Sequence, residues 1–251
     1  MICVIPARYG STRLPGKPLL EINGLPLVMW AYRSAQRVKS FSRIIVATDD
    51  ERIAQAVEGH GGVAVMTSAD HSRGTDRIHE AAKNEKYDYI VNIQADEPDL
   101  PAAVLADFVE QCVMLDDKTL LTIASHATIR EIGNPNVVKV VCDTRCQALY
   151  FSRSIIPYDR DPANESPGFL KHKGIYGFSR GGLERYCSLP EGILERRESL
   201  EQLRALESGM GIRCLVRDFE STGIDTPEDL AAFRALHECT NGISGPYGDG
   251  E

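Results

Sequence analysis

The sequence predicts an α/β fold: a mostly parallel central sheet with helices on both faces, plus a smaller mixed β extension. Three observations carry this expectation. The runs at residues 2–5, 43–48 and 89–94 are largely apolar, rich in β-branched side chains and without polar alternation, as expected of parallel strands buried on both faces. Over the first 115 residues such runs alternate with loops and with segments whose apolar residues recur at helical spacing, the pattern of a layered sheet with crossover helices. A length of 251 residues suits one large α/β domain with a substantial core.

Taken in order, residues 2–5 form a strand and residues 25–38 a helix with Pro26 near its start, where a missing N–H is harmless. Residues 43–48 form the second buried strand, and Asp49 and Asp50 are placed to cap a helix over 51–60, which Gly61-Gly62 stops. A short strand at 63–66 and a helix over 75–84 follow, then the strand 89–94 and a helix over 101–114. The middle differs: 120–125, 137–142, 148–151 and 174–178 read as strands with few helices between them, a mixed extension with a polar loop at 159–167. Helical spacing returns at 180–186 and 195–208, then a strand at 212–216 and a helix over 227–236 with Thr226 as N-cap and Pro227 in its first position. Residues 1–238 are thus expected as one domain and 239–251, Gly-rich and polar, as a flexible tail.

Composition narrows the function. With 28 Lys plus Arg against 36 Asp plus Glu, the formal charge is −8, which speaks against nucleic acid as the main partner. An anionic small molecule fits if cations are concentrated locally. The seven cysteines (3, 112, 142, 146, 187, 214 and 239) are scattered, with no Cys-x-x-Cys pair and no matching set to complete a zinc site around 142 and 146. Reduced thiols in a cytoplasmic protein are expected. The sequence opens directly on a strand, and no apolar run approaches the length of a membrane span, so the protein is read as soluble, unexported and without a membrane partner.

The local concentration of cations lies in Ile5-Pro6-Ala7-Arg8-Tyr9-Gly10-Ser11-Thr12-Arg13-Leu14-Pro15-Gly16-Lys17-Pro18-Leu19. This loop leaves the carboxyl end of a buried strand, the edge at which open α/β sheets bind ligands. Arg8, Arg13 and Lys17 offer charge-assisted hydrogen bonds to phosphate oxygens, and Gly10 and Gly16 allow close approach of the backbone. The competing reading is a solvated basic loop; three prolines and two glycines around the cations favour a held shape. The pattern is not a Walker loop, because no Gly-Lys-Ser/Thr triplet closes it. Asp96 and Glu97 follow the strand 89–94 directly, and Asp225 precedes the last helix. Each could simply cap a helix; converging on a phosphate loop, they would suit Mg²⁺, which takes one or two carboxylates plus phosphate oxygens.

The opening loop occurs in sequence with Val46-Ala47-Thr48-Asp49, with Met66-Thr67-Ser68-Ala69-Asp70-His71 taken together with Gly74-Thr75-Asp76-Arg77 as one motif, and with Asn92-Ile93-Gln94-Ala95-Asp96-Glu97-Pro98. Further on stand Asn134-Pro135-Asn136-Val137-Val138-Lys139-Val140-Val141, Ala148-Leu149-Tyr150-Phe151-Ser152-Arg153, the stretch 172–178, Leu200-Glu201-Gln202-Leu203-Arg204 and the stretch 222–230. The set resembles the 3-deoxy-manno-octulosonate cytidylyltransferases (CMP-Kdo synthetases) over roughly residues 1–236. Any one motif is weak, but nine in order are specific.

The resemblance implies a Rossmann-like fold of the nucleotide-diphospho-sugar transferase kind. It also implies transfer of CMP from CTP to the anomeric hydroxyl of Kdo, with release of pyrophosphate, for lipopolysaccharide biosynthesis. On this chain Ala7, Arg8, Arg13 and Lys17 would hold the triphosphate end, with Arg8 and Lys17 stabilising charge on the α- and β-phosphates. Asp96 and Asp225 would hold Mg²⁺. The cytosine would rest near Ser68, Gly74, Thr75 and Arg77, helped by Gln94. Arg153 would meet the sugar carboxylate, and His172, Tyr176, Glu201 and Gln202, the last two on a helix, would surround the hydroxyls. A homodimer is implied, with residues 119–178 as a sugar-binding and dimerisation subregion. Two departures stand out: Ala95 replaces the family's usual Gly, and Arg73 a small polar residue, changes expected to alter affinity more than chemistry. Alternatives are a different sugar acid (an 8-amino analogue or a nonulosonate), a glycosyltransferase that consumes nucleotide sugars, or a silent nucleotide-binding module.

Overall fold

The computed structural model describes residues 1–10, 14–71, 73–161, 168–221 and 223–238. The expected tail 239–251 and Arg13 lie outside the described residues. Strand β1 (Ile2–Ala7) pairs in parallel with β4 (Arg43–Thr48) on one side and β6 (Tyr89–Asn92) on the other, and β4 pairs in parallel with β5 (Ala64–Met66). Beyond β6 the sheet turns mixed. Strand β10 (Leu170–Ser179) lies antiparallel to β6 and to β7 (Thr119–His126), and β11 (Gly211–Val216) runs parallel to β7. The order is β11-β7-β10-β6-β1-β4-β5.

Alternation along β1 shows why its sequence is apolar throughout. Cys3 and Ile5 join a core with α1 (Leu27–Gln36), α2 (Glu51–Gly59), α4 (Ala102–Cys112) and α9 (Pro227–Glu238), whereas Ile2 and Val4 join one with α3 (Gly74–Ala82), α6 (Arg180–Ser188) and α8 (Leu203–Glu207). Both faces of the sheet are therefore covered. Asp50 caps α2 as expected, accepting from Arg52 N at 3.0 Å. Thr226 and Asp229 cap α9 reciprocally: Thr226 Oγ1 accepts from Asp229 N (3.2 Å), and Asp229 Oδ2 accepts from Thr226 N (2.8 Å). Among the described residues no helix is long and apolar enough to cross a membrane.

Three expectations are corrected. The helix expected over 25–38 starts later, because Leu25–Pro26 (β3) pairs with Glu21–Ile22 (β2) in a hairpin. Its two-residue turn is Asn23-Gly24, both at positive φ (53° and 73°), the signature of a type I′ turn. The helix expected over 195–208 is two, α7 (Ile193–Glu198) and α8, broken at Ser199 in the left-handed region (φ 53°). Glu201 and Gln202 thus occupy a turn rather than a helix. Finally, β7 and β10 belong to the main sheet; the extension is the hairpin of β8 (Lys139–Cys142) and β9 (Ala148–Ser152), attached to the start of β10, with a single turn α5 (Ile129–Ile132) before it.

Candidate active site

The parallel strands β1, β4 and β6 deliver their following loops to one edge of the sheet. Because β10 is antiparallel and Tyr176 pairs with Asn92 at the end of β6, residues 170–175 of β10 run on past that edge. They form one flank of a depression whose other flank is the cation loop.

In that loop Gly16 adopts φ 67°, and a Cβ there would come 3.1 Å from the Tyr9 ring, so the turn into the 3₁₀ segment Lys17–Leu19 depends on glycine. The turn aims Lys17 inward. Its ammonium donates to Asp96 Oδ2 (2.7 Å), to the Ile224 carbonyl (2.8 Å) and to Asp225 Oδ1 (3.0 Å). Its three N–H groups are all used, and they join two carboxylates 129 residues apart in sequence. Ile224 N also donates to the Asp96 carbonyl at 3.0 Å, and Asp225 N donates to Asp229 Oδ2 in the α9 cap at 3.0 Å. The carboxylate pair is thus held by backbone on both sides.

Around it is a cavity of about 420 Å³ lined by Ala7, Arg8, Gly10, Lys17, His71, Arg73, Gly74, Arg77, Gln94, Ala95, Asp96, Glu201 and Asp225 among others. Arg8 is exposed at its rim. Arg77 is not a surface residue: 3% exposed, it donates to Asp49 Oδ2 and Thr67 Oγ1, each at 2.6 Å. Ser68 and Thr75 do not line this cavity. Ser68 is exposed and bonded to Glu80 and Asp70, while Thr75 is buried beneath the wall. Thr75 Oγ1 donates to Glu201 Oε2 (2.8 Å), and Gly74 N donates to Glu201 Oε1 (3.2 Å). Glu201, expected on the sugar side, therefore caps the loop expected to receive the base.

A second cavity of about 810 Å³ contains all five residues expected around the sugar: Arg153, His172, Tyr176, Glu201 and Gln202. Tyr176 OH donates to Gln202 Oε1 (3.1 Å), leaving Gln202 Nε2 a buried donor without a partner among the described residues. His172 Nε2 lies 2.8 Å from Thr122 Oγ1, and the ring packs edge-on against Phe151. Burial, with Lys173 adding to it, pushes the His172 pKa down to about 3, so the ring is neutral near pH 7. Arg153 spends three of its five N–H groups on the carbonyls of Glu198 (2.8 Å), Pro135 (3.0 Å) and Ser199 (3.3 Å). Two remain for a ligand.

The same cavity has a flank that sequence reasoning did not assign. Lys171 pairs with Glu131 (2.5 Å), Lys173 donates to Ser221 Oγ (2.8 Å), and Ser221 Oγ donates to Glu97 Oε2 (2.9 Å). Burial raises the Glu97 pKa, with Lys173 opposing and Asp96 adding to the rise; burial lowers that of Lys173. The alternation Lys171-His172-Lys173 held the signal, since in a strand it places both lysines on the face opposite His172.

Gln94, Glu201 and Asp225 line both cavities, so the carboxylate pair stands where the two meet. Among the described residues no group of three or more His, Cys, Asp or Glu could hold a metal ion. A divalent ion at Asp96 and Asp225 would have to complete its shell with substrate oxygens and water, a hard-oxygen set that suits Mg²⁺.

The cytidylyltransferase family model matches residues 2–212. A 3-deoxy-manno-octulosonate cytidylyltransferase of Syntrophobacter fumaroxidans is 48% identical over 237 residues, covering 92% of this chain and 94% of the relative. The Escherichia coli protein of the same name is 44% identical, covering 94% and 95%. A solved structure described as CMP:2-keto-3-deoxy-manno-octonic acid synthetase complexed with CTP superposes with a TM-score of 0.89 at 42% identity, covering 95% of this chain and 98% of that one. A glucose-1-phosphate thymidylyltransferase structure from Bacillus anthracis shares the fold at a TM-score of 0.64 and 14% identity.

Proposed function

This chain belongs to the cytidylyltransferases, within them to the 3-deoxy-manno-octulosonate cytidylyltransferases, and from that premise we propose that it transfers CMP from CTP to the anomeric hydroxyl of Kdo, releasing pyrophosphate. The observation that carries the reading is the pair of adjoining cavities with Asp96 and Asp225 held together at their boundary. One cavity takes the nucleotide and the other the sugar acid, so that the anomeric oxygen faces the α-phosphorus.

In this reading Arg8 and Lys17 offset charge on the triphosphate, and Gln94 and the loop at Gly74, braced by Glu201, shape the nucleotide end. As the anomeric oxygen bonds to the α-phosphorus, the α–β anhydride bond breaks, its electrons leave with pyrophosphate, and the hydroxyl proton is released. Asp96 and Asp225 would hold Mg²⁺, which when bound supplies charge neutralisation at the phosphates and lowers the pKa of the attacking hydroxyl. Arg153 offers its two remaining N–H groups to the sugar carboxylate, and Gln202 Nε2, Tyr176 and neutral His172 offer hydrogen bonds to the hydroxyls. The product would feed lipopolysaccharide synthesis in the cytoplasm, and the enzyme would act as a homodimer. The test is pyrophosphate release from CTP and Mg²⁺ with a panel of sugar acids. Release with Kdo is expected; release only with an amino analogue would move the substrate, and none with any acid would overturn the reading.

A further inference from the structure

The sugar cavity contains an ammonium group, that of Lys173, which among the described residues forms no direct ion pair. Lys17 and Lys171 each form an ion pair, but among the described residues no carboxylate lies within salt-bridge distance of Lys173. The Lys173 ammonium is half-buried, donates to the neutral Ser221 hydroxyl at 2.8 Å and lies 5.3 Å from the centre of the Phe219 ring. One of its three N–H groups is accounted for by Ser221. A desolvated cation without a counter-charge is costly, and it lines a cavity read here as receiving an anion.

Position narrows which part of the anion it meets. In a 2-keto sugar acid the carboxylate is bonded to the anomeric carbon, the carbon that carries the attacking hydroxyl. The carboxylate must therefore lie beside the reacting centre, close to Asp96 and Asp225. Lys173 is tied through Ser221 to Glu97, the residue after Asp96. The next residue, Gly174, lies so close to Gln94 on the shared boundary that a Cβ there would be 3.5 Å from Gln94 Cγ. Arg153, with two N–H groups left, cannot satisfy the roughly four lone-pair sites of a carboxylate alone.

We propose that Lys173 is a specificity-determining residue, a second cation that binds the carboxylate of the sugar acid at the end of the cavity next to the metal-binding aspartates. The inference rests on the sugar-acid reading above. Ser221 and Glu97 act as positioning residues that hold the ammonium without quenching it, since the hydroxyl stands between the two charges.

The test couples a protein change to a substrate change. Wild type and Lys173→Met are assayed for pyrophosphate release with Kdo and with its C1 carboxamide, and binding of both is measured by calorimetry. In wild type the carboxamide should be poorer by about tenfold or more in kcat/KM, the scale of a charge-assisted hydrogen bond. In Lys173→Met the KM for Kdo should rise about tenfold, the KM for CTP should stay within about twofold, and the carboxamide penalty should largely vanish. Lys173→Arg should restore Kdo use, and Lys173→Gln replaces the Met variant if that one does not fold. An equal carboxamide penalty in wild type and variant would overturn the assignment of Lys173 while leaving the enzyme's reaction intact. A wild type that neither binds nor turns over any sugar acid would overturn both.

Discussion

Lys17 Nζ lies 2.7 Å from Asp96 Oδ2, and the same ammonium reaches Asp225 at 3.0 Å. One cation of the loop after β1 thus bridges the carboxylate pair proposed to hold the metal and offsets one of its two negative charges. Asp96 and Asp225 would hold a divalent ion through oxygens that Lys17 already engages, so the ammonium and the ion would compete for them.

Lys17→Met should therefore act in opposite directions on two measurements. Turnover should fall by about 10²-fold or more, as for loss of a preorganised cation on a transition-state oxyanion. Binding of Mn²⁺ in the absence of CTP, followed by its paramagnetic signal, should tighten. Asp96→Asn should abolish turnover at millimolar Mg²⁺ and weaken Mn²⁺ binding; full activity would remove Asp96 as a ligand.

Arg153 and Glu201 line the same cavity but should behave differently on substitution. Arg153→Ala should raise the KM for the sugar acid and leave CTP binding in place. Glu201→Ala removes the acceptor for Gly74 N and Thr75 Oγ1, so it should raise both Michaelis constants by about fivefold or more, the scale of one or two lost hydrogen bonds. Steady-state kinetics with each substrate varied would separate the two.

Stability depends on a buried ion pair away from the chemistry. Arg204 and Glu195, with side chains 1% and 7% exposed, form a two-pronged pair (Nε to Oε2 at 2.8 Å, Nη2 to Oε1 at 2.5 Å) that ties α8 to α7. Glu195→Gln leaves a buried guanidinium without its counter-charge and should cost about 3–5 kcal/mol in urea unfolding. The turn carrying Glu201 and Gln202 lies between these helices, so the sugar KM should rise as well.

His172 makes stability pH-dependent. Its folded pKa is depressed to about 3, against an ordinary value of 6.5, so below pH 6.5 the unfolded chain binds a proton that the folded one refuses. The contribution is complete above the unfolded pKa and is lost as pH falls toward the folded one, at up to about 1.4 kcal/mol per pH unit. His172→Gln should flatten the unfolding free energy between pH 6.5 and pH 4 relative to wild type. An NMR titration placing the ring pKa above 6 would contradict the buried, neutral assignment.

The sequence displayed the parallel half of the sheet most openly. Strands β1, β4 and β6 are covered on both faces, so residues 2–7, 44–47 and 89–91 are apolar or aromatic and their following loops fall at one edge of the sheet. That edge places Asp96, whereas the pairing of Asp225 with it is implied by the family resemblance and not by the strand pattern. Helical spacing runs on through Ser199, where a reversal of φ breaks the backbone and not the apolar pattern, so the spacing alone puts Glu201 and Gln202 on a helix. The Asn23-Gly24 hairpin had a readable signal that the apolar spacing of 25–38 outweighed. From sequence strand β10 reads only over 174–178, because Lys171 and Lys173 interrupt the apolar run at its start. Their partners Glu131 and Ser221 are 40 and 48 residues away in sequence, a relation that local pattern cannot express.

Gln94, Glu201 and Asp225 belong to both cavities, and a shared wall links the two binding equilibria. Whatever factor CTP applies to the affinity for the sugar acid, the sugar acid must apply to the affinity for CTP. An ordered kinetic scheme would then describe which substrate arrives first, while the energetic synergy between them would remain the same from either direction.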